Sequence, residues 1–285
     1  MKIFLTSLTH PGKVRDNNED AVVVCPDLTT PSWDDTSEYI PLGAFGSVAV
    51  VADGMGGAKA GEVASSLAIE RIKSCFTEKP IPLKASDADK CAFLSSAINL
   101  ANGDILARVE RDPETIGMGT TVVLLWLVDG KAHIAWCGDS RCYVFNPNKG
   151  LYPLSKDHSY VQELVDKGEI SPEQMIDHPD SNLITRGLGD IDTDSTADTM
   201  TVPVAEGDIF LLCSDGLCGY CQDAAIEDIM YRHLNDIPAC KKALFDAAIQ
   251  TGGHDNITIA LVATLPSSAK KRTIGMMTRL KRLLG

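Results

Sequence analysis

An α+β fold, with strands and helices segregated into layers, is what this sequence predicts, and three observations carry the prediction. The apolar segments are short and rich in β-branched residues. The longer helical stretches come in pairs, and no regular strand–helix–strand alternation is present. A chain of 285 residues is also long enough to bury roughly 75% of its unfolded surface, so layers with a large shared core are available.

The elements follow in order. Residues 1–9, 21–25 and 47–52 read as strands, the last as Ser-Val-Ala-Val-Val-Ala. From about residue 61 to 76 the spacing turns helical, with Val63, Leu67, Ile69 and Ile72 recurring at three and four; Phe93, Leu94, Ile98, Ile105 and Leu106 repeat the pattern over 86–111. Residues 120–128 and 131–137 flank Asp129-Gly130, a dipeptide suited to a primed hairpin turn. A third strand, 141–145, follows after three residues, which predicts an antiparallel meander. Residues 155–195 are seldom continuously apolar. With short helices near Val161 and Pro172, they read as a surface insertion. Strands return at 199–204 and 208–214, helices at about 222–234 and 238–251, and a last strand at 256–264.

Charge narrows the function. The chain carries 39 acidic and 26 basic residues, a formal −13, a poor match for the phosphate backbone of a nucleic acid. Six of the basic residues lie in 266–285, which contains no acid, so the other 265 residues stand at −19. No export signal and no membrane span of ~20 apolar residues is visible. The nine cysteines are an odd number scattered through the chain, which suits reduced thiols and a cytoplasmic location.

The aspartates form the informative pattern. Asp20 precedes the strand at 21–25, and Asp53 follows the strand at 47–52. Asp139 lies between two strands, Asp215 follows the strand at 208–214, and Asp255 precedes the last strand. A single strand-end Asp-Gly usually makes only a turn, and Asp129-Gly130 is such a case. Five strand-end carboxylates together fit a cluster along one edge of a sheet sandwich, where their repulsion calls for cations. Oxygen-only ligands select hard ions such as Mg²⁺ or Mn²⁺. Two such ions can activate one water for attack on phosphorus. Arg15, five residues before Asp20, is suited to hold a phosphoryl group. The stretch Gly54-Met55-Gly56-Gly57-Ala58-Lys59 has neither a dinucleotide fingerprint nor a Walker loop. Its glycines instead suit close backbone approach to a metal at a helix start.

Six ordered stretches then resemble a known family, the metal-dependent type 2C (PPM) protein serine/threonine phosphatases in their bacterial form. They are Val14-Arg15-Asp16-Asn17-Asn18-Glu19-Asp20, Ala52-Asp53-Gly54-Met55-Gly56-Gly57, Gly117-Met118-Gly119-Thr120-Thr121, Gly138-Asp139-Ser140-Arg141, Cys213-Ser214-Asp215-Gly216-Leu217 and His254-Asp255-Asn256-Ile257-Thr258. The resemblance implies a four-layer α-β-β-α sandwich over 1–265, two antiparallel sheets flanked by helix pairs, with a flap at about 155–195. It implies that Asp53 bridges two Mn²⁺ or Mg²⁺ ions, that the Gly54 carbonyl binds one, and that Asp215 and Asp255 bind the other. Glu19, Asp20 and Asn256 would act through water or as outer contacts. Asp139 would hold a third ion with Asp215, with Asn182 of the flap a candidate to complete it, and Arg15 would hold the substrate phosphate. The implied partners are phosphorylated serine/threonine proteins, including a serine/threonine kinase, and the implied enzyme is a monomer. Met55 stands where many eukaryotic relatives carry a proposed acid histidine.

Two other functions stay open on the sequence: a phosphoprotein-binding pseudophosphatase without turnover, and a two-metal phosphoesterase for small molecules. Cys218 and Cys221 read as buried or incidental thiols rather than a zinc or redox pair. Of the six histidines only His254 sits in a motif, and its role reads as structural. Trp126 and Trp136 read as core. The segment 266–285 reads as a mobile basic tail, dispensable for chemistry, with a weak contact to a membrane surface as its alternative use.

Overall fold

Alternation along the strands decides which layer each residue serves. In the strand Val122–Val128, residues 122, 124, 126 and 128 belong to an apolar cluster with two helices, while 123, 125 and 127 belong to a second cluster between the sheets. A strand covered on both faces reads as one continuous apolar run, as this one does.

The structure is a computed structural model that describes residues 1–56, 60–78, 82, 84–190 and 193–265. The basic tail expected at 266–285 lies outside the described residues. In chain order the elements are β1 (Lys2–His10), β2 (Ala21–Cys25), β3 (Ile40–Pro41), β4 (Ser47–Ala52), β5 (Gly54–Met55), α1 (Ala60–Glu78), α2 (Asp87–Arg111), β6 (Gly119–Thr120), β7 (Val122–Val128), β8 (Lys131–Cys137), β9 (Arg141–Asn146), β10 (Gly150–Pro153), α3 (Tyr160–Asp166), β11 (Asp198–Pro203), β12 (Ile209–Cys213), α4 (Asp215–Cys218), α5 (Asp223–Arg232), α6 (Ile237–Gln250) and β13 (Ile257–Leu265).

One sheet has the order β10-β9-β12-β13-β1-β3, the other β11-β8-β7-β4-β2, and β5 pairs with β6 as a small third ribbon. Every strand pairing is antiparallel. Helices α1 and α2 cover the five-stranded sheet through Ile72, Phe76, Leu94 and Ile98. Helices α5 and α6 cover the six-stranded sheet through Ile226, Met230, Leu244 and Ala248. The inner faces meet in a third apolar layer containing Ile3, Leu5, Leu125, Phe210 and Val262. The result is the expected α-β-β-α sandwich.

The expected meander is corrected. β7 and β8 form the hairpin, with Asp129 at φ 52° and Gly130 at φ 73° in its turn. The third strand does not continue that sheet. β9 pairs with β10 and β12 in the opposite one. The corner is Gly138 at φ 114°, where a Cβ would stand 2.5 Å from the Thr121 side chain. Only glycine turns the chain this sharply against that neighbour. Trp126 and Trp136 are both core: Trp126 donates its indole N–H to the Phe45 carbonyl and Trp136 to that of Lys156.

Candidate metal centre

The carboxylates converge where the two sheets' strand ends meet. Asp53 leaves the end of β4, and Asp215 opens α4 directly after β12. Asp139 sits on the crossover between sheets, and Asp255 and Asp20 precede β13 and β2. Together with Arg15, Asp16, Asn17, Glu19, Gly54, Met55, Gly56, Thr121, Asn182, Ile184 and Asn256, four of these five aspartates line a cavity of about 550 Å³. Asp20 lies just behind it, 7% exposed. An adjoining recess of about 100 Å³ is shared by Asp139, Asp215, Asn182 and Ser181, so the flap does bring Asn182 to the Asp139–Asp215 pair.

Backbone contacts set these positions. Thr121 N–H donates to the Asp53 carbonyl at 2.8 Å, and Thr120 Oγ1 donates to the same oxygen at 2.8 Å. Asp53 N–H donates to Thr121 Oγ1 at 3.3 Å, and that hydroxyl also bonds Ser140 Oγ at 2.7 Å. Asp53 and the Asp139 corner are thus joined through one threonine. Gly54 lies where a Cβ would meet the carbonyl oxygens of Gly61 at 2.3 Å and Glu19 at 2.4 Å. Its lack of a side chain lets three backbone segments close on the cavity. Asn256 holds the loop that carries Arg15: its Oδ1 accepts from Glu19 N–H at 2.7 Å, and its Nδ2 donates to the Asn17 and Pro11 carbonyls. Its side chain therefore acts through that loop.

Charge in the cavity is lopsided. Among the described residues six carboxylates and one guanidinium line it, and Arg15 Nη2 rests 2.6 Å from Asp255 Oδ2. Burial first, and four neighbouring aspartates second, raise Asp53 well above the usual carboxylate range. Burial likewise raises Asp139, pushes Asp215 up to about 7 and pushes Asp20 up to about 6. Asp20 Oδ2 accepts from Ser214 Oγ at 2.7 Å, while its buried Oδ1 has no hydrogen-bond partner. Among the described residues no three acidic, histidine or cysteine side chains close on one point to cage an ion unaided. They instead ring an open cavity. An orphaned buried carboxylate oxygen, clustered anions and an all-oxygen donor set fit hard divalent cations.

Several contributors carried no readable role in the sequence. Thr121 lies in a quoted motif, yet nothing in Gly-Thr-Thr says that one threonine joins two aspartates. Ser214 reads as a helix-start residue. His158 falls in the flap region, outside every motif, and is buried behind the Asp139 corner. His254 is exposed, its ring tilted against Tyr220 at 5.6 Å. Cys218 and Cys221 are buried free thiols, with their pKa raised. No helix among the described residues is long and apolar enough to cross a membrane.

Comparison with known proteins gives this class of fold and site a family. The family profile described as Protein phosphatase 2C matches residues 30–261. The serine/threonine phosphatase stp of Listeria innocua is 36% identical over 215 residues, 75% of this chain and 83% of that one. Among solved structures, Stp1 from Staphylococcus aureus superposes with a TM-score of 0.79 at 30% identity, covering 92% of this chain and 95% of that one. The catalytic domain of the phosphatase PstP, solved with two manganese ions, gives 0.74 at 29% identity, covering 93% and 99%. The chain belongs to the protein phosphatase 2C family. Within it, the chain is an enzyme of the bacterial serine/threonine phosphatase kind.

Proposed function

We propose that the chain removes phosphate from phosphoserine and phosphothreonine in proteins, using two Mn²⁺ or Mg²⁺ ions and a third beside the flap. Asp53 and the Gly54 carbonyl would hold one ion, Asp53, Asp215 and Asp255 the second, and Asp139 with Asp215 the third. Glu19 and Asp20 would act through ordered water. Bound there, hard divalent ions supply neutralising charge for the phosphoryl oxygens and acidify the attacking water. The observation that carries the reading is a ring of carboxylates, with Asp53, Asp139 and Asp215 raised by burial, around a cavity lined among the described residues by a single cation.

The chain's own groups do the rest. Arg15 is 57% exposed at its side chain, so its fork is free to leave Asp255 and grip two phosphoryl oxygens. Thr121 holds the Asp53 backbone at the cavity edge through both its N–H and its hydroxyl. Met55 has no proton to give, and no histidine or lysine lines the cavity among the described residues. The leaving alkoxide therefore takes its proton from water. An enzyme that erases a phosphate needs one that writes it, so a protein serine/threonine kinase is the matching partner.

The test is a Mn²⁺ titration of turnover on a phosphothreonine peptide, a phosphotyrosine peptide and a small aryl phosphate. The reading expects metal-dependent turnover that favours phosphothreonine. Metal-independent turnover, or none, would reject it.

A further inference from the structure

His158 is buried, and its surroundings are unusually specific for a residue the proposed chemistry does not use. Gly138 N–H donates to His158 Nδ1 at 3.1 Å, and His158 N–H donates to the Gly138 carbonyl at 3.0 Å. One residue thus holds both polar groups of the glycine that turns the chain between sheets, immediately before Asp139. The same residue reaches the flap: its carbonyl accepts from Thr185 N–H at 2.7 Å, and Ser159 bridges Ile184. Ile184 lines the main cavity, and Asn182 lines both the cavity and the Asp139 recess.

The ring is fixed on its other sides. Because Gly138 donates to Nδ1, that nitrogen is bare and the ring proton sits on Nε2. Nε2 lies 3.1 Å from Asp198 Oδ2 and donates to it. Asp198 is in turn held by Arg186 Nη1 at 3.1 Å, and Arg186 Nε reaches Asp194 at 3.3 Å. The ring lies nearly parallel to Trp136, at 20° and 6.1 Å. Imidazole orientation and tautomer are both set, as they are for histidines that must present one nitrogen to one partner.

We propose that His158 is a positioning residue for Asp139, its Nδ1 holding the Gly138 corner in register with the flap base so that Asp139 and Asn182 face one recess. It rests on the reading of Asp139 as a ligand of the third ion. It acts through backbone, so an aromatic ring without the acceptor loses the function, while a smaller side chain that returns an acceptor recovers it.

The experiment measures Mn²⁺ binding by the resonance signal of free Mn²⁺, with kcat and KM on a phosphothreonine peptide and a thermal midpoint. Wild type, His158→Phe, His158→Asn, Asp198→Ala and Asp139→Ala are compared. His158→Phe is expected to weaken the weakest Mn²⁺ site and lower kcat, each by about tenfold, the lower end of what losing an outer partner costs a metal site, with KM little changed. His158→Asn, whose Oδ1 falls near the former Nδ1, is expected to recover most of both. Asp198 is half exposed, so Asp198→Ala folds even if the Phe variant does not, and it is expected to shift the weakest site in the same direction by a few-fold. Asp139→Ala impaired with His158→Phe and Asp198→Ala unchanged would overturn the positioning role alone. An Asn variant as impaired as Phe would do the same. Asp139→Ala with an unchanged weakest site would overturn the third-ion reading and this proposal together.

Discussion

Asp53-Gly54 and Asp129-Gly130 are the same dipeptide, each at the end of a strand in the five-stranded sheet, and the fold puts them to opposite uses. Asp129 sits in a primed hairpin turn, its side chain 50% exposed and its carboxylate 2.8 Å from the Lys90 ammonium. Nearby, Asp87 pairs with Lys131. Both of these acids have a base. Asp53 is half-buried among four other aspartates, and the guanidinium at the mouth is turned to Asp255. A folded protein gains nothing by itself from gathering unpaired anions. The contrast locates function by what the chain leaves uncompensated, not by the motif it shares with an ordinary turn.

The largest expected effect comes from exchanging charge at these two positions. Asp53→Asn is expected to lower Mn²⁺-dependent kcat about a thousandfold or more, because several kcal/mol of metal-assisted stabilisation depend on it. Asp129→Asn is expected to leave kcat within about twofold, as surface changes usually do. Equal kinetic losses in the two variants would erase the distinction. Stability is expected to run the other way. Without metal, Asp53→Asn relieves repulsion and melts at a higher temperature than wild type at pH 8. Asp129→Ala strands the Lys90 ammonium, whose side chain is 4% exposed, and is expected to cost about 1–2 kcal/mol in denaturant unfolding, the partner's exposure holding the figure below that of a fully buried pair.

Next in size is Asp139→Ala, expected to lower peptide turnover about 10–100-fold, the range for a perturbed metal site, while two tight Mn²⁺ equivalents remain by calorimetry. Loss of every equivalent would show that the recess and the main cavity are one site.

A smaller, pH-dependent effect separates the two corners again. Folding raises Asp215 to about 7 and Asp20 to about 6 from an ordinary 3.8. A carboxyl raised by folding favours the folded state below its ordinary pKa and loses that favour as pH rises through its folded one. The metal-free protein is therefore expected to lose stability between pH 6.5 and 8. Below 6.5 His133 and His158, whose pKa burial lowers and which must charge on unfolding, oppose that slope and reduce it without reversing it. Saturating Mn²⁺ is expected to remove the slope above pH 6.5. A flat melting temperature across pH 6.5–8 in chelator would show that the aspartates are not strained as described.

Strand periodicity made most of the sandwich legible before the structure, because both faces of β4, β7 and β13 are buried and their apolar runs are unmistakable. It did not show β10, whose four residues Gly-Leu-Tyr-Pro look like a turn, nor α4, a single turn begun by Asp215. The crossover at Gly138 was misplaced because a three-residue link looks the same whether the next strand joins its neighbour or the opposite sheet. Only packing against Thr121 decides it. In the site, strand-end aspartates were visible because turns expose their order. Thr121, Ser214 and His158 were not, since a hydrogen bond across 20 or 194 residues leaves no local pattern.

The place of β13 has a consequence for how this enzyme is made. β13 is the last of the described elements in the chain, yet it lies inside the six-stranded sheet, between β12 and β1, with Lys2 opposite Leu265 and His10 opposite Ile257. Until the ribosome has released it, β1 and β12 have an open edge towards each other and the sheet is split. Asp255 and Asn256, just ahead of β13, arrive at the same moment. A nascent chain halted before residue 255 thus has the binding partners of Arg15 and of its loop missing together, and phosphatase activity is expected to switch on in one step as the final strand zips into place.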